Sequence, residues 1–92
     1  MKPLAEQFVR KGFRHTAVVR VGGWAIYERQ RPDVSKPHWE VVKPRTCPQR
    51  EAFGQVFEAQ EVYPPSEEWG KYGFTYTTLA DAQAKLKELT GS

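Results

Sequence analysis

A chain of 92 residues makes one domain over its whole length and leaves it a thin core, since a chain this short buries only about 60–65 % of its unfolded surface. Three Trp, four Tyr and five Phe supply large core-forming side chains and exclude a disordered polyelectrolyte. A single cysteine, Cys47, excludes an intrachain disulfide. The first ten residues carry charge and no apolar run, so neither a signal peptide nor a membrane span is read there, and the cytoplasm is the expected compartment.

The net charge of +3 is unevenly placed. Residues 1–46 carry ten basic and four acidic side chains, whereas residues 47–92 carry four and seven. Such asymmetry suits an anionic partner, although a solvated surface accounts for it equally simply.

Residues 3–12 read as a short helix opening at Pro3 and ending at Gly12, with Leu4 and Phe8 on one face, or else as an extended arm. Arg14 to Gln30 reads as a hairpin around Gly22-Gly23, a two-residue turn that needs positive φ. That turn pairs Val21 with Trp24 and Val19 with Ile26 on an apolar side. It pairs Arg20 with Ala25, Val18 with Tyr27 and Thr16 with Arg29 on the other. Trp24 is therefore expected in the core. Arg31–Pro37 is a proline-bearing loop. His38–Lys43 is a third strand, with Trp39 and Val41 opposite His38, Glu40 and Val42, and Pro44 ends it. Pro44–Glu51 reads as a polar, mobile loop. Residues 55–63 read as a fourth strand, with Phe57, Ala59 and Tyr63 against Val56, Glu58 and Val62; a helix over 50–60 is the rival.

Pro64 and Pro65 take the chain out of any strand. Phe74-Thr75-Tyr76-Thr77 is again strand-like. Thr78 begins a capping-box pattern with Asp81 in third place. The helix that follows carries Leu79, Ala82, Leu86 and Leu89 as one apolar stripe, and Gly91 can end it. The sum is an α+β fold: a small antiparallel sheet of three to five strands with a C-terminal helix packed on one face.

No spacing for catalysis or metal binding is present. His15, His38 and Cys47 are far apart and unpaired in sequence, and no phosphate-loop motif occurs. Glu67-Glu68 reads as a solvated pair. No enzyme, cofactor or metal is expected. Two surfaces are the candidates instead. Tyr63, Trp69, Lys71, Tyr72 and Tyr76 gather more aromatic area than so small a core absorbs, so part of it is expected to contact a partner protein. Trp69 and Phe74 are expected to fold inward, Trp69 against the helix; Tyr72, between two glycines, is expected outside. The second surface is the outer hairpin face, with Arg14, Arg20, Tyr27 and Arg29, followed in the next loop by Arg31 and Lys36. Bases interleaved with an aromatic suit a nucleic-acid strand, while an ordinary outward sheet face is the simpler reading.

Four segments resemble a group of small proteins encoded in bacteriophages and prophages. They are Ala25-Ile26-Tyr27-Glu28, Trp39-Glu40-Val41-Val42, Glu61-x-Tyr63-Pro64-x-Ser66-Glu67-x-Trp69-Gly70, and Gly73-Phe74-Thr75-Tyr76-x-Thr78-Leu79-x-x-Ala82. The resemblance covers roughly Ala17 to Leu89 and departs in the two proline-bearing loops. It implies a mobile-element origin and a bacterial host. It further implies a non-enzymatic protein acting on a host protein or complex, as inhibitors of host defence do, anti-CRISPR proteins among them. Trp69-Gly70-Lys71-Tyr72-Gly73, followed by a Thr-rich strand and an Ala-rich helix, also resembles WGR domains, which contact nucleic acid; Lys71 stands where that motif has Arg.

Overall fold

The computed structural model describes residues 3–91, apart from the side chain of Phe57. Five strands form the main sheet: β1 (Gln7–Arg10), β2 (Phe13–Val21), β3 (Trp24–Gln30), β4 (His38–Val42) and, beyond an excursion, β9 (Gly73–Tyr76). They are antiparallel in the order β1-β2-β3-β4-β9. The C-terminal helix α1 (Leu79–Thr90) lies across β3, β4 and β9. The fold is α+β.

Local chemistry explains α1. Thr78 is extended, and its hydroxyl accepts a hydrogen bond from the Asp81 amide at 3.2 Å. This satisfies one of the helix's orphan donors. Gly91, at φ 71°, closes the other end by donating to the Lys87 carbonyl. The apolar stripe faces the sheet. Ala82 and Leu86 are buried with Trp24, Ile26 and Val41, and Leu79 and Leu89 pack against that cluster.

The opposite face of the sheet is also covered. Ala25, Tyr27 and Val42 form a second buried cluster under Leu4, Phe8, Tyr63 and Trp69. Tyr27 donates its hydroxyl to the Ala5 carbonyl at 2.8 Å, pinning the N-terminal segment down. That segment is not a helix. Phe8 and Arg10 point alternately with Gln7 and Val9, and β2 offers them a ladder, so the extended alternative forms as β1. Tertiary pairing overrides weak helix propensity.

The β2–β3 hairpin keeps the expected register at Val21↔Trp24, Arg20↔Ala25 and Val19↔Ile26. A bulge between Ala17 and Val19 then shifts it, giving Ala17↔Tyr27, Thr16↔Glu28 and His15↔Arg29. One extra residue reverses side-chain parity in the first half of β2. His15 and Phe13 therefore join Tyr27 and Arg29, and Arg14 and Thr16 go to the helix-bearing face.

Residues 45–62 overturn the expectation of a loop and of a helix over 50–60. They form β5 (Arg45–Cys47), β6 (Arg50–Ala52), β7 (Gln55–Phe57) and β8 (Gln60–Val62). β5 pairs with β8 and β6 with β7, and Arg45↔Val62 and Arg50↔Phe57 belong to one continuous antiparallel register. The break falls at Pro48, which has no amide to donate. The result is a two-stranded ribbon whose strands pair only with each other. Its tip is the two-residue turn Phe53-Gly54, both with positive φ.

Candidate functional site

Glu40 is the centre of the face opposite α1. It stands on β4 between Tyr27 of β3 and Thr75 of β9, and its side chain is only 5 % exposed. Four donors surround it. His15 Nε2 lies 3.2 Å and the Tyr63 hydroxyl 2.5 Å from Oε1; Arg29 Nη1 lies 3.3 Å and the Thr75 hydroxyl 3.4 Å from Oε2. Burial by itself pushes the Glu40 carboxyl upward. The hydrogen bonds from His15 and Tyr63, with the Arg29 guanidinium, outweigh it and hold the group below the ordinary carboxylate range. Burial, and then the Glu40 charge, push the Tyr63 phenol up, so it stays a donor. A carboxylate engaged by four donors has its lone-pair positions filled and holds parts together; none is left to accept a substrate proton.

Aromatic rings lock the network. Phe8 stacks on His15 at 4.8 Å, and Tyr63 sets its edge against Phe8, His15 and Tyr27. Trp69 donates its indole N–H to Thr75 at 2.9 Å. A Cβ on Gly73 would lie 2.5 Å from the Trp69 ring, so only glycine admits the indole there.

Beside Glu40 opens a cleft of about 370 Å³. It runs between the β1–β2 turn, Lys11-Gly12, and the 3₁₀ turn Ser66–Glu68. Arg10, Lys11 and Arg29 give it cations, and Phe13 and Trp69 give it apolar walls. The Arg29 guanidinium lies 4.6 Å from the Phe13 ring centre. Its Nε–H is buried without an acceptor among the described residues.

The second feature is the ribbon. Phe53 at its tip is fully exposed, and Val56 beside it is 63 % exposed. The base is tied down at Glu61, which accepts the Leu4 amide at 3.1 Å and binds Arg20 through both carboxylate oxygens. Arg45 pairs with Glu68 at 3.0 Å.

The five aromatic-patch residues do not make one outer surface. Tyr63 and Trp69 belong to the Glu40 side, and Tyr72 and Tyr76 pack against the α1 cluster; only Lys71 of the five is exposed. Trp69 folds inward as expected, but onto the face away from the helix. Tyr72 is half-buried with the Lys43 and Lys71 ammonium groups about its ring. The basic hairpin face is likewise dispersed. Tyr27 is buried, Arg14 lies on the other side, and Arg20, Arg29 and Arg31 pair with Glu61, Glu40 and Asp33. Lys36 stays exposed in its loop. The bulge is the physical reason for Arg14; for the other three arginines it is a carboxylate within reach, Glu61 of the ribbon, Glu40 of β4 and Asp33 of the loop that carries Arg31.

Sequence reasoning missed Glu40, His15 and Phe53. Glu40 and His15 are distant in sequence, and their partnership depends on the bulge. Phe53-Gly54 lacks the Asn or Asp that announces a two-residue turn. Among the described residues, no three His, Cys, Asp or Glu side chains gather to hold a metal. None of their helices is long and apolar enough to cross a membrane. Comparison with family models, curated proteins and solved structures finds no match to this chain.

Proposed function

We propose that this chain is a non-enzymatic binding protein that occupies a surface on another protein through its β-ribbon. Action on a host protein is what its resemblance to small bacteriophage and prophage proteins implies; the ribbon as the contact is read from the structure. Inhibition of a host defence system, in the manner of an anti-CRISPR protein, is the specific form. The observation that carries the reading is Phe53. Its φ of 53° is a conformation that costs a bulky residue about 1–2 kcal/mol relative to the right-handed one. Its ring is fully exposed, which forgoes about 1.5–3 kcal/mol of burial. The fold recovers neither. Asn or Gly would make the same turn more cheaply, so a Phe there fits an anchor for an apolar pocket on a partner. The saturated Glu40 supports the absence of catalysis. The pairing of Arg20, Arg29 and Arg31 with carboxylates weighs against a nucleic-acid module on the hairpin face.

A photo-reactive phenylalanine analogue at position 53, and another at exposed position 77 as control, test this in bacterial cells expressing the full chain. A discrete protein adduct from position 53 and none from position 77 is expected. It should vanish in competition with unlabelled wild type and persist against Phe53→Asn. Equal labelling from both positions, or competition by Phe53→Asn as strong as by wild type, overturns the proposal.

A further inference from the structure

The cleft beside Glu40 is separate from the ribbon, and its charge is not used by the fold. Arg10 makes a long hydrogen bond, Nη1 to the Pro64 carbonyl at 3.4 Å, and lies over the Tyr63 ring at 5.2 Å, with no carboxylate partner among the described residues. Among the described residues, Lys11 makes no hydrogen bond or ion pair. Arg29 spends Nη1 on Glu40, while its side chain keeps 26 % of its surface open and lines the cleft. Among the described residues, Glu40 is the only carboxylate lining the cleft, and its charge is already answered by its four donors, Arg29 among them. Two positive charges, those of Arg10 and Lys11, remain unmatched at the rim. Lys11 also holds φ at 53°, where Asn or Gly is the unstrained choice. The ammonium is thus kept on a turn whose geometry argues for another residue.

The walls are of another kind. Phe13 and Trp69 are flat and apolar, and the volume of about 370 Å³ falls in the range of sites for small organic molecules. Free inorganic phosphate would leave the walls unused. A neutral aromatic would leave the cations unused. A phosphate monoester, carrying a charge of about −1.5 to −2 near neutral pH, matches the unpaired charge and offers three acceptor oxygens to the Arg10, Lys11 and Arg29 donors.

We infer that the cleft binds an aromatic phosphate monoester of nucleoside-monophosphate size. The phosphate sits among Arg10, Lys11 and the open edge of the Arg29 guanidinium, and the ring lies along Phe13 and Trp69. The same chemistry is found in a free nucleotide and at the 5′-phosphorylated end of a nucleic-acid strand.

Titration of the full chain with adenosine monophosphate, adenosine, inorganic phosphate and a 5′-phosphorylated oligonucleotide tests it. The binding is followed by calorimetry and by the NMR signals of the Trp69 indole N–H and Arg29 Nε–H. Saturable binding of the monophosphate, shifting both signals, is expected. Adenosine and inorganic phosphate should each bind at least about tenfold more weakly, since each forfeits a charge-assisted or stacking contribution. Lys11→Asn removes the ammonium at a turn position that Asn accepts, so the fold is retained, and should weaken the monophosphate by about tenfold. Phe53→Asn should bind it as wild type does. Tighter binding of the oligonucleotide identifies the strand end as the source of the phosphate, and equal or weaker binding identifies the free nucleotide. No saturation by either monophosphate source, adenosine binding as well as its monophosphate, inorganic phosphate alone matching it, or unchanged affinity in Lys11→Asn overturns the inference.

Discussion

Replacing Glu40 by Leu keeps the approximate volume of the side chain and removes the acceptor of four donors. The Thr75 hydroxyl and Arg29 border the cleft and can turn to water. His15 is only 3 % exposed, and Tyr63 is wedged among three rings, so their donors are orphaned. Each unsatisfied buried donor costs about 1–3 kcal/mol, and removing one partner of a buried ion pair costs about 3–5 kcal/mol. A loss of about 3–5 kcal/mol is expected, against a total of about 5–15 kcal/mol for a domain of this kind. Thermal unfolding followed by circular dichroism at pH 7 should show a fall of about 12 °C or more. Glu40→Gln, which retains one carbonyl acceptor, should fall in between. The sign of the acid response follows from the lowered Glu40 carboxyl. Its stabilisation is fully present above the unfolded value of about 4.3 and is lost as pH drops through the lower folded value. Glu61, held low chiefly by its hydrogen bond from Arg20, acts with the same sign. Glu40→Leu should therefore keep a smaller acid-induced loss than wild type. A melting temperature within about 3 °C of wild type, or an identical acid loss in both proteins, would refute the assignment of Glu40 as the keystone of that face.

Trp24, 9 % exposed at the start of β3 and 6.4 Å from Phe74, should cost about 3–5 kcal/mol on replacement by Ala, measured by denaturant unfolding. Leu86→Ala should cost about 2–5 kcal/mol and Thr78→Ala about 1 kcal/mol; a reversed order in the same assay would show that α1 is not docked by its leucine stripe. Gly73→Ala should displace the Trp69 indole, costing about 1–3 kcal/mol by overpacking. The Trp69 near-ultraviolet dichroism should change while α1 keeps its far-ultraviolet signal.

Much of the helix-bearing side was legible in the sequence because its signals are local. Thr78, Asp81 and Gly91 mark the ends of α1 within a few residues of where they act, and the stripe repeats at helical spacing. Gly22-Gly23 announces its own turn, and Trp24, Ile26 and Val41 follow from strand alternation. The other side depends on long-range facts. His15 meets Glu40 only because Val18 is an extra residue in β2, and nothing about Ala17-Val18-Val19 marks a bulge in advance. Two further turns of the Gly22-Gly23 kind, Lys11-Gly12 and Phe53-Gly54, have a lysine and a phenylalanine in the first position. Those residues disguise the turns, and with them the strands on either side. The same departures from turn chemistry place Lys11 and Phe53 in the two surfaces proposed for binding.

Val18 can be viewed as a one-letter insertion in a two-letter reading frame. Before it, odd-numbered residues of β2 address Glu40; after it, even-numbered ones do. Deleting Val18 would leave that reading intact: Val19 would follow Ala17 directly and Ala17 would keep Tyr27 opposite it, so Phe13 and His15 would stay on the Glu40 side, and β1 with them through Phe8↔His15 and Arg10↔Phe13. Closing the bulge with Val18 kept in the ladder would instead shift everything upstream by one, turning Arg14 and Thr16 towards Glu40 and carrying Phe13 and His15 to the side of α1. The bulge is thus the point at which β2 absorbs a one-residue change of length without turning its upstream half over.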